Sequence, residues 1–270
     1  MQSQVHADKR LTERAGYFEL TGAHLYTVLH EVEDPVARLL LVGPFASERH
    51  NTYVPLVRWA RYLAARNIEV LRYDYRGIGE STGVLDETTF EDWSQDLRLL
   101  SAWLAERSPA APLVLHGLAI GAILAGRAFD SGIGDVLLLW SPPANANQAL
   151  RSTLMRWVGL EQIFKFGNDR RSAADYIREL EQGSPLEVDG YQWSTGLWHD
   201  SFGFTLPQAL ANQESAALAY QRPVKITRLD KAAAPLARGG SVGYDDLKDF
   251  TWLFAPHCDW IVEAASSLIR

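Results

Sequence analysis

Apolar residues along this chain follow two patterns, short continuous runs and longer segments with helical spacing. The continuous runs are typical of strands covered on both faces, and they fall at residues 38–42, 68–73, 113–115 and 135–140. Apolar side chains recur every three or four residues at 53–66 and 90–104, which predicts two amphipathic helices. Thr89, with Asp92 three residues later, predicts a capping box at the start of the second helix. This alternation indicates an α/β protein with a mostly parallel, doubly wound central sheet flanked by helices.

Both ends of the chain also carry strand and helix patterns. Residues 16–20 and 24–32 alternate apolar and polar positions around a Thr21-Gly22-Ala23 turn, which predicts an antiparallel hairpin at a sheet edge. After residue 222 the strand character returns. Two further strands and a closing helix are predicted at residues 223–229, 250–254 and 261–269.

Between these regions the alternation of strands and helices stops. Residues 148–158 and 172–181 have helical patterns, and an irregular segment rich in tyrosine, tryptophan and phenylalanine follows them. We interpret the interruption as a cap inserted into one α/β core. The predicted organisation is 1–142 for the first part of the core, 143–222 for the inserted cap, and 223–270 for the last strands and helix.

The stretch from Leu113 to Ala125 contains the most specific local pattern. An apolar strand leads into Gly117-Leu118-Ala119-Ile120-Gly121, and a helix of small residues follows. A strand, a turn of the form G-x-X-x-G and a helix form a nucleophile elbow, where the central residue is normally serine. Here the central residue is Ala119, whose side chain cannot attack a carbonyl. We therefore expect strained backbone angles at Ala119, at the carboxyl edge of the sheet.

Composition narrows the class of protein. The 270 residues carry a formal net charge of −7, which gives no electrostatic footprint for nucleic acid or for an anionic membrane. The single cysteine, Cys258, excludes an internal disulfide and fits a reducing compartment. No signal peptide, membrane-spanning run or zinc-ligand spacing is present, so we expect a cytoplasmic protein without a cofactor or a bound metal.

Three motifs in this order resemble the α/β-hydrolase superfamily. They are the Gly43-Pro44-Phe45 loop after a strand, the turn Asp74-Tyr-Arg-Gly-Ile-Gly-Glu-Ser81, and the elbow around Ala119. Pro44 to Glu48, Gly117 to Ala122, Leu139 to Pro142 and Gly190-Tyr191 resemble more narrowly the type 2 exosortase-system-associated hydrolases, in which the elbow often lacks its serine. The chain differs from that family at Ser47, His50 and Asn51, where Glu, Asn and Lys are more common.

The resemblance implies positions for a catalytic triad. The triad follows the chain order nucleophile, acid, base, which gives Ala119 as the vacant nucleophile position, Asp230 as a candidate acid and His257 as the candidate base. A surface aspartate is an equally good interpretation of Asp230, and a structural histidine remains an alternative for His257. Cys258 adjoins His257, and we interpret it as a packed free thiol.

Further candidates border the elbow. The oxyanion-hole donors implied by the fold are the backbone N–H groups of Ile120 and Phe45, because Pro44 has no N–H. Glu48 and His50 are placed in the neighbouring loop, where they either form a polar surface or face inward and bind a polar ligand group. Ser141 follows a strand at the edge where ligands bind in such sheets, and a turn residue is its alternative interpretation.

Three functions remain open from the sequence. The favoured one is a non-catalytic or weakly catalytic protein of serine esterase or thioesterase ancestry. It would bind a small acyl-like or carbohydrate-linked ligand, or a protein partner, under the cap. The second is an active serine hydrolase of carboxylic esters or thioesters whose nucleophilic serine was deliberately replaced by alanine in this sequence, so that the natural enzyme would carry serine at position 119. The third is a structural protein without a small-molecule site. The oligomeric state stays open.

Overall fold

The computed structural model of this chain describes residues 12–164, 171–211, 217–221, 225–228 and 251–269. Its strands are β1 (Thr12–Leu20), β2 (Ala23–Glu31), β3 (Ala37–Val42), β4 (Ile68–Tyr73), β5 (Leu113–Leu118), β6 (Val136–Trp140), β7 (Leu186–Val188), β8 (Tyr191–Trp193), β9 (Ala217–Gln221) and β10 (Lys225–Arg228). Its helices are α1 (Ala46–Ala64), α2 (Phe90–Arg107), α3 (Ile120–Asp130), α4 (Ala146–Phe164), α5 (Ala173–Glu181), α6 (Thr195–Gly203), α7 (Gln208–Ala211) and α8 (Phe254–Leu268).

The main sheet has the strand order β1-β2-β4-β3-β5-β6-β9-β10. The central strands β4, β3, β5 and β6 run parallel to one another, whereas the β1–β2 hairpin pairs antiparallel at one edge. Helices connect the parallel strands, as such crossovers require. The α/β fold with a mostly parallel central sheet is therefore confirmed, and so is the edge hairpin around Gly22.

The other edge of the sheet differs from the prediction. β9 pairs antiparallel with β6, and β10 pairs antiparallel with β9, so β10 is parallel to β6 but lies one strand farther out. The predicted cap, 143–222, therefore includes a strand of the core sheet. The sequence of β9, Ala-Leu-Ala-Tyr-Gln, contains good helix formers, and pairing with β6 on one side and β10 on the other makes it a strand.

Two element boundaries predicted from local pattern are wrong. Residues 251–253 form a short 3-10 turn, and helix α8 begins at Phe254, where a strand over 250–254 was expected. The aromatic run has strand-like composition, but Leu253 and Phe254 pack as part of a helical layer. Helix α1 begins at Ala46, not at Tyr53, so Pro55 lies inside the helix and Glu48 and His50 are helical.

The core occupies both faces of the sheet. On one face α1 and α8 pack against alternate side chains of the central strands, for example Val114 and Leu118 of β5. On the opposite face Leu113 and Leu115 contact the layer of α2 and α3. Buried residues of α4, α5, β7, β8 and α6 belong to this same second layer, so the segment after β6 is continuous with the core of the sheet.

Candidate active site

The turn between β5 and α3 has the geometry predicted for an elbow. Ala119 stands at its tip with φ 54° and ψ −122°, a conformation that costs a non-glycine residue about 1–3 kcal/mol. Its N–H donates to the carbonyl oxygen of Trp140 at 3.0 Å, which holds the tip beside the end of β6. The prediction of a strained backbone at Ala119 is confirmed.

The two flanking glycines are required by close approaches of the backbone. A Cβ atom at Gly117 would lie 2.5 Å from the Cα of Ala122, and one at Gly121 would lie 2.2 Å from the carbonyl oxygen of Val42. The second approach is to the end of β3, only 2.4 Å from the oxygen of Gly43 as well. The glycines thus let the elbow pack directly against the loop that contains Phe45.

Backbone strain is concentrated at this edge of the sheet. Six of the described non-glycine residues have positive φ, and three of them, Ala46, Ala119 and Ser141, lie here with values of 52°, 54° and 46°. They follow the ends of the three adjacent strands β3, β5 and β6. The other three are Asp34, Asn67 and Asp189, residue types that adopt this conformation more readily than alanine or serine. Strained residues persist where the surroundings determine them and commonly cluster at functional sites. The structure therefore brings the loop before α1, the elbow and Ser141 to one edge.

The two candidate oxyanion donors lie in suitable elements. Ile120 is the first residue of α3, so its N–H has no partner within the helix. Phe45 precedes α1, and its ring is held between Trp93 and Trp193 with ring centroids 5.9 Å from each. The hydroxyl of Tyr75 donates to Gly43 in the same loop. Packing therefore fixes the loop, and the role of its amides in an oxyanion hole stays a prediction.

Ser141 is the other polar group at this edge. Its hydroxyl oxygen is buried, and it has no hydrogen-bond partner among the described residues. A buried hydroxyl without a partner is costly, by about 1–3 kcal/mol, so a bound polar group at this position would relieve the cost. The binding role expected for Ser141 stays a prediction.

His257 has hydrogen bonding opposite to that of a triad base. It is buried in the first turns of α8, and its Nδ1 accepts from the indole Nε1–H of Trp140 at 2.7 Å. An indole nitrogen can only donate, so the neutral imidazole of His257 must carry its proton on Nε2. A triad base instead donates from Nδ1 to the acid and accepts from the nucleophile at Nε2. This hydrogen bond agrees with the alternative interpretation of His257 as a structural histidine, and its role as a base stays a prediction.

A second buried histidine lies beside this pair. His116 of β5 faces Trp140 with ring centroids 4.4 Å apart, and its Nδ1 is 3.0 Å from the carbonyl oxygen of Leu138. Burial lowers the pKa of His116 to about 4. Burial, and then the neighbouring His116, lower the pKa of His257 to about 3. Both imidazoles are therefore neutral at physiological pH.

The remaining candidates from the triad region differ in outcome. Cys258 is fully buried, and burial raises the pKa of its thiol to about 11, which agrees with a packed, unreactive thiol. Asp230 lies outside the described residues. No group of three or more His, Cys, Asp or Glu side chains that could hold a metal ion occurs in the described ranges.

Glu48 and His50 both lie near the start of α1, but their side chains face in different directions. The carboxylate of Glu48 points to α4, where Arg156 lies 3.6 Å away, and burial raises the pKa of Glu48. His50 faces solvent. Their expected location in a loop is wrong, because α1 includes both residues. The exposure of His50 agrees with the polar-surface interpretation, and a binding role for Glu48 stays a prediction.

The residue between them, Arg49, is the one that faces a pocket. Its guanidinium forms a bidentate pair with Asp74, with both oxygen atoms 2.7 Å from Nη2. Asp74 also accepts from the N–H of Glu80, and a Cβ atom at Gly79 would collide with Asp74 Oδ2 at 2.2 Å. These contacts fix the turn that begins at Asp74, and this turn holds the wall of the pocket in place.

This pocket lies at the carboxyl ends of β3 and β4, next to the first turns of α1. It is a shallow cleft with a cavity volume of about 40 Å³, or about 430 Å³ of free space when the solvent at its open mouth is included. Its lining includes Leu41, Pro44, Tyr53, Arg72 and Tyr73 but not Ala119, Ile120 or Ser141. The sequence analysis missed Arg49, Tyr53 and Leu56. Their spacing of four and three residues would have shown one helix face if α1 had been extended to Ala46.

The comparisons with known proteins concern the first two thirds of the chain most directly. The sequence profile of the family described as serine aminopeptidase, S33, matches residues 46–162, which is less than half of the chain. No protein with curated function matches this sequence. The part of the chain that the structure describes contains no helix long and apolar enough to cross a bilayer.

Several solved structures are similar in fold. Est1E from Butyrivibrio proteoclasticus, solved with ferulic acid, has 15% identity and a TM-score of 0.50 over 70% of this chain and 71% of its own. The α/β hydrolase GrgF from Penicillium sp. sh18 has 20% identity and a TM-score of 0.50, covering 73% and 74%. A lidless α/β serine hydrolase from Xanthomonas campestris has 26% identity and a TM-score of 0.42, covering 49% of this chain and 62% of that one.

Proposed function

Because this chain has the α/β-hydrolase fold, we propose that it descends from serine esterases or thioesterases, has lost their covalent catalysis, and acts by binding a ligand or a partner. The observation that carries the proposal is the combination at the elbow. The strained turn is complete, but Ala119 occupies its tip and the nearby His257 is held in the tautomer that cannot take a proton at Nε2.

The hydrogen bond from Trp140 gives the proposal its physical reason. Restoring a serine at position 119 would supply a hydroxyl but would leave His257 with its Nδ1 lone pair occupied. No acid could then accept a proton from Nδ1, because no proton is present there. The low pKa of His257, about 3, also makes it a poor base at neutral pH.

The elements around the elbow support a binding role. The N–H of Ile120 at the start of α3 and the fixed Phe45 loop remain available for a carbonyl or carboxylate oxygen. Tyr191 and Trp193 of the segment after β6 contact the ring of Phe45, with centroids 6.1 Å and 5.9 Å away. We therefore retain the proposal that this segment covers the site, and a relation to the exosortase-associated type 2 hydrolases remains part of it.

The test compares the natural chain with Ala119→Ser. Both are incubated with short-chain nitrophenyl esters and with a fluorophosphonate probe, and a known serine esterase serves as the positive control. We expect neither protein to be labelled, and turnover by Ala119→Ser within about tenfold of the natural chain. Nitrogen NMR of the histidines should find the proton of His257 on Nε2.

Two outcomes would contradict the proposal. Rapid ester turnover by Ala119→Ser would mean that a working base and acid are present, and it would favour an active hydrolase whose natural serine was deliberately replaced by alanine. Labelling of the natural chain by the fluorophosphonate would reveal a nucleophile elsewhere. A thermal melt of each protein confirms that the comparison is between folded chains.

A further inference from the structure

The pocket at the ends of β3 and β4 combines an apolar floor with charged walls. Leu41, Leu56 and Pro44 supply apolar surface, and the ring of Tyr53 lies at its side. Two guanidinium groups and one carboxylate, from Arg49, Arg72 and Asp74, complete the lining. A concave apolar site with a few convergent polar groups is the usual form of a small-molecule site.

The charges in this pocket do not cancel. Arg49 and Asp74 form a bidentate pair and neutralise each other. Arg72 has no carboxylate within ion-pair distance among the residues that the structure describes. One positive charge is therefore left in the pocket, on a half-buried side chain.

The structure holds the side chain of Arg72 in place. Its Nε donates to Nε2 of His30 at 3.1 Å, and its guanidinium carbon lies 5.7 Å from the ring centroid of Tyr53. His30 is buried, and its Nδ1 faces Glu13 Oε1 at 3.6 Å. Glu13 is in turn fixed by the guanidinium of Arg61 at 2.5 Å. A chain of contacts through His30 of β2, Glu13 of β1 and Arg61 of α1 therefore fixes the orientation of Arg72.

This support requires a neutral His30, because only an unprotonated Nε2 accepts from Arg72. Burial, together with the neighbouring guanidinium of Arg72, lowers the pKa of His30 to about 4. At neutral pH the imidazole therefore holds Nε of Arg72. The terminal Nη groups make no hydrogen bond to any described residue and are left to meet a ligand.

We propose that this pocket binds a small monocarboxylate with a short apolar body, and that Arg72 pairs with its carboxylate. A single uncompensated guanidinium matches one carboxylate, whose two oxygens suit its planar donors. The apolar body lies against Leu41 and Leu56. This pocket is a site separate from the elbow, so the proposal goes beyond the binding role proposed above.

The experiment measures binding of butyrate and benzoate to the full chain by calorimetry or ligand-observed NMR at fixed ionic strength. The neutral amides of the same acids, butyramide and benzamide, are the matched ligands. We expect the carboxylates to bind at least about tenfold more tightly than the amides, as a charge-assisted hydrogen bond implies. Arg72→Gln should lose this preference, and Arg72→Lys should keep part of it. Arg58→Gln, at an exposed position of α1, is the charge-matched control.

The comparison of acid with amide needs no variant, so the test stands even if Arg72→Gln does not fold. The proposal would be overturned if acid and amide bound equally well, or if neither carboxylate bound. It would also be overturned if folded Arg72→Gln bound the carboxylates with unchanged affinity. Ester turnover by Ala119→Ser tests the elbow alone. Failure of carboxylate binding is therefore distinguishable from failure of the proposed loss of catalysis.

Discussion

At the scale of single residues, the backbone conformation of Ala119 differs strongly from the conformations that alanine prefers. Alanine rarely adopts φ 54° with ψ −122°, and it has no polar side chain that would compensate at this site. The conformation is imposed by the close contacts of Gly117 and Gly121 on either side. The strained turn therefore forms with alanine at its tip, and the origin among serine hydrolases stays a proposal.

This strain leads to a prediction for Ala119→Gly. Glycine adopts positive φ without a steric cost, although it loses about 0.5–1 kcal/mol through the entropy of the unfolded chain. Since the strain costs about 1–3 kcal/mol, we expect the variant to be more stable than the natural chain by about 1 kcal/mol. Urea unfolding measures the difference. Ala122→Gly, inside α3, is the control and should be destabilised by about 1 kcal/mol. Equal losses in both variants would show that Ala119 is unstrained.

At the scale of elements, the packing of α3 against the end of β3 decides how the elbow is built. The contact is between backbones, because the three atoms nearest to a Cβ at Gly121 are all backbone atoms of Val42 and Gly43. A backbone cannot move aside as a flexible side chain can. Helix α1 and the Phe45 loop are consequently tied to the position of α3.

We therefore expect Gly121→Ala to be severely destabilising, by about 3 kcal/mol or more, because its Cβ would lie 2.2 Å from a carbonyl oxygen. Gly159→Ala in α4 is the matched control, since a Cβ there meets nothing within 4 Å. That substitution should increase stability by about 0.5–1 kcal/mol through helix propensity. Thermal or urea unfolding of both variants checks the pair, and a mild effect at Gly121 would argue against the elbow packing.

At the scale of the whole molecule, buried neutral histidines couple stability to pH. His116 and His257 titrate near 6.5 when unfolded, but in the folded chain their pKa values are about 4 and about 3. Between pH 6.5 and these lower values the unfolded state binds more protons. The contribution of these two histidines to the free energy of unfolding is therefore fully present above pH 6.5. It is lost as the pH falls, by up to about 1.4 kcal/mol per pH unit for each histidine.

His257→Asn tests this coupling. Asparagine can keep an acceptor for the indole of Trp140 but has no group that titrates in this range. We expect the pH dependence of the free energy of unfolding between pH 6.5 and 4 to become less steep by up to about 1.4 kcal/mol per pH unit, which is the contribution of one titrating group. Urea unfolding across this range measures the slope. His50→Asn, at an exposed position, controls for the loss of an imidazole, and an unchanged slope in His257→Asn would contradict the assignment.

The sequence by itself determined the fold class, the parallel strands and the elbow. Continuous apolar runs, helical periodicity and two glycines spaced four apart are local signals, and each depends on residues close in the chain. The capping box at Thr89 and Asp92 is confirmed for the same reason, because both hydrogen bonds form within one helical turn. Ala119 was identified as the strained tip of the turn from this pattern alone.

Only the tertiary structure decided the rest of the site. The state of His257 depends on Trp140, 117 positions away in the chain, and no local pattern contains that hydrogen bond. β9 is a strand because β6 offers it an edge, and α1 extends to Ala46 because tertiary packing stabilises a start that lacks apolar periodicity. The uncompensated charge of Arg72 likewise arises from a pairing between Arg49 and Asp74 that spans separate elements. These features depend on contacts between distant segments, whose free energies appear only once the chain has folded.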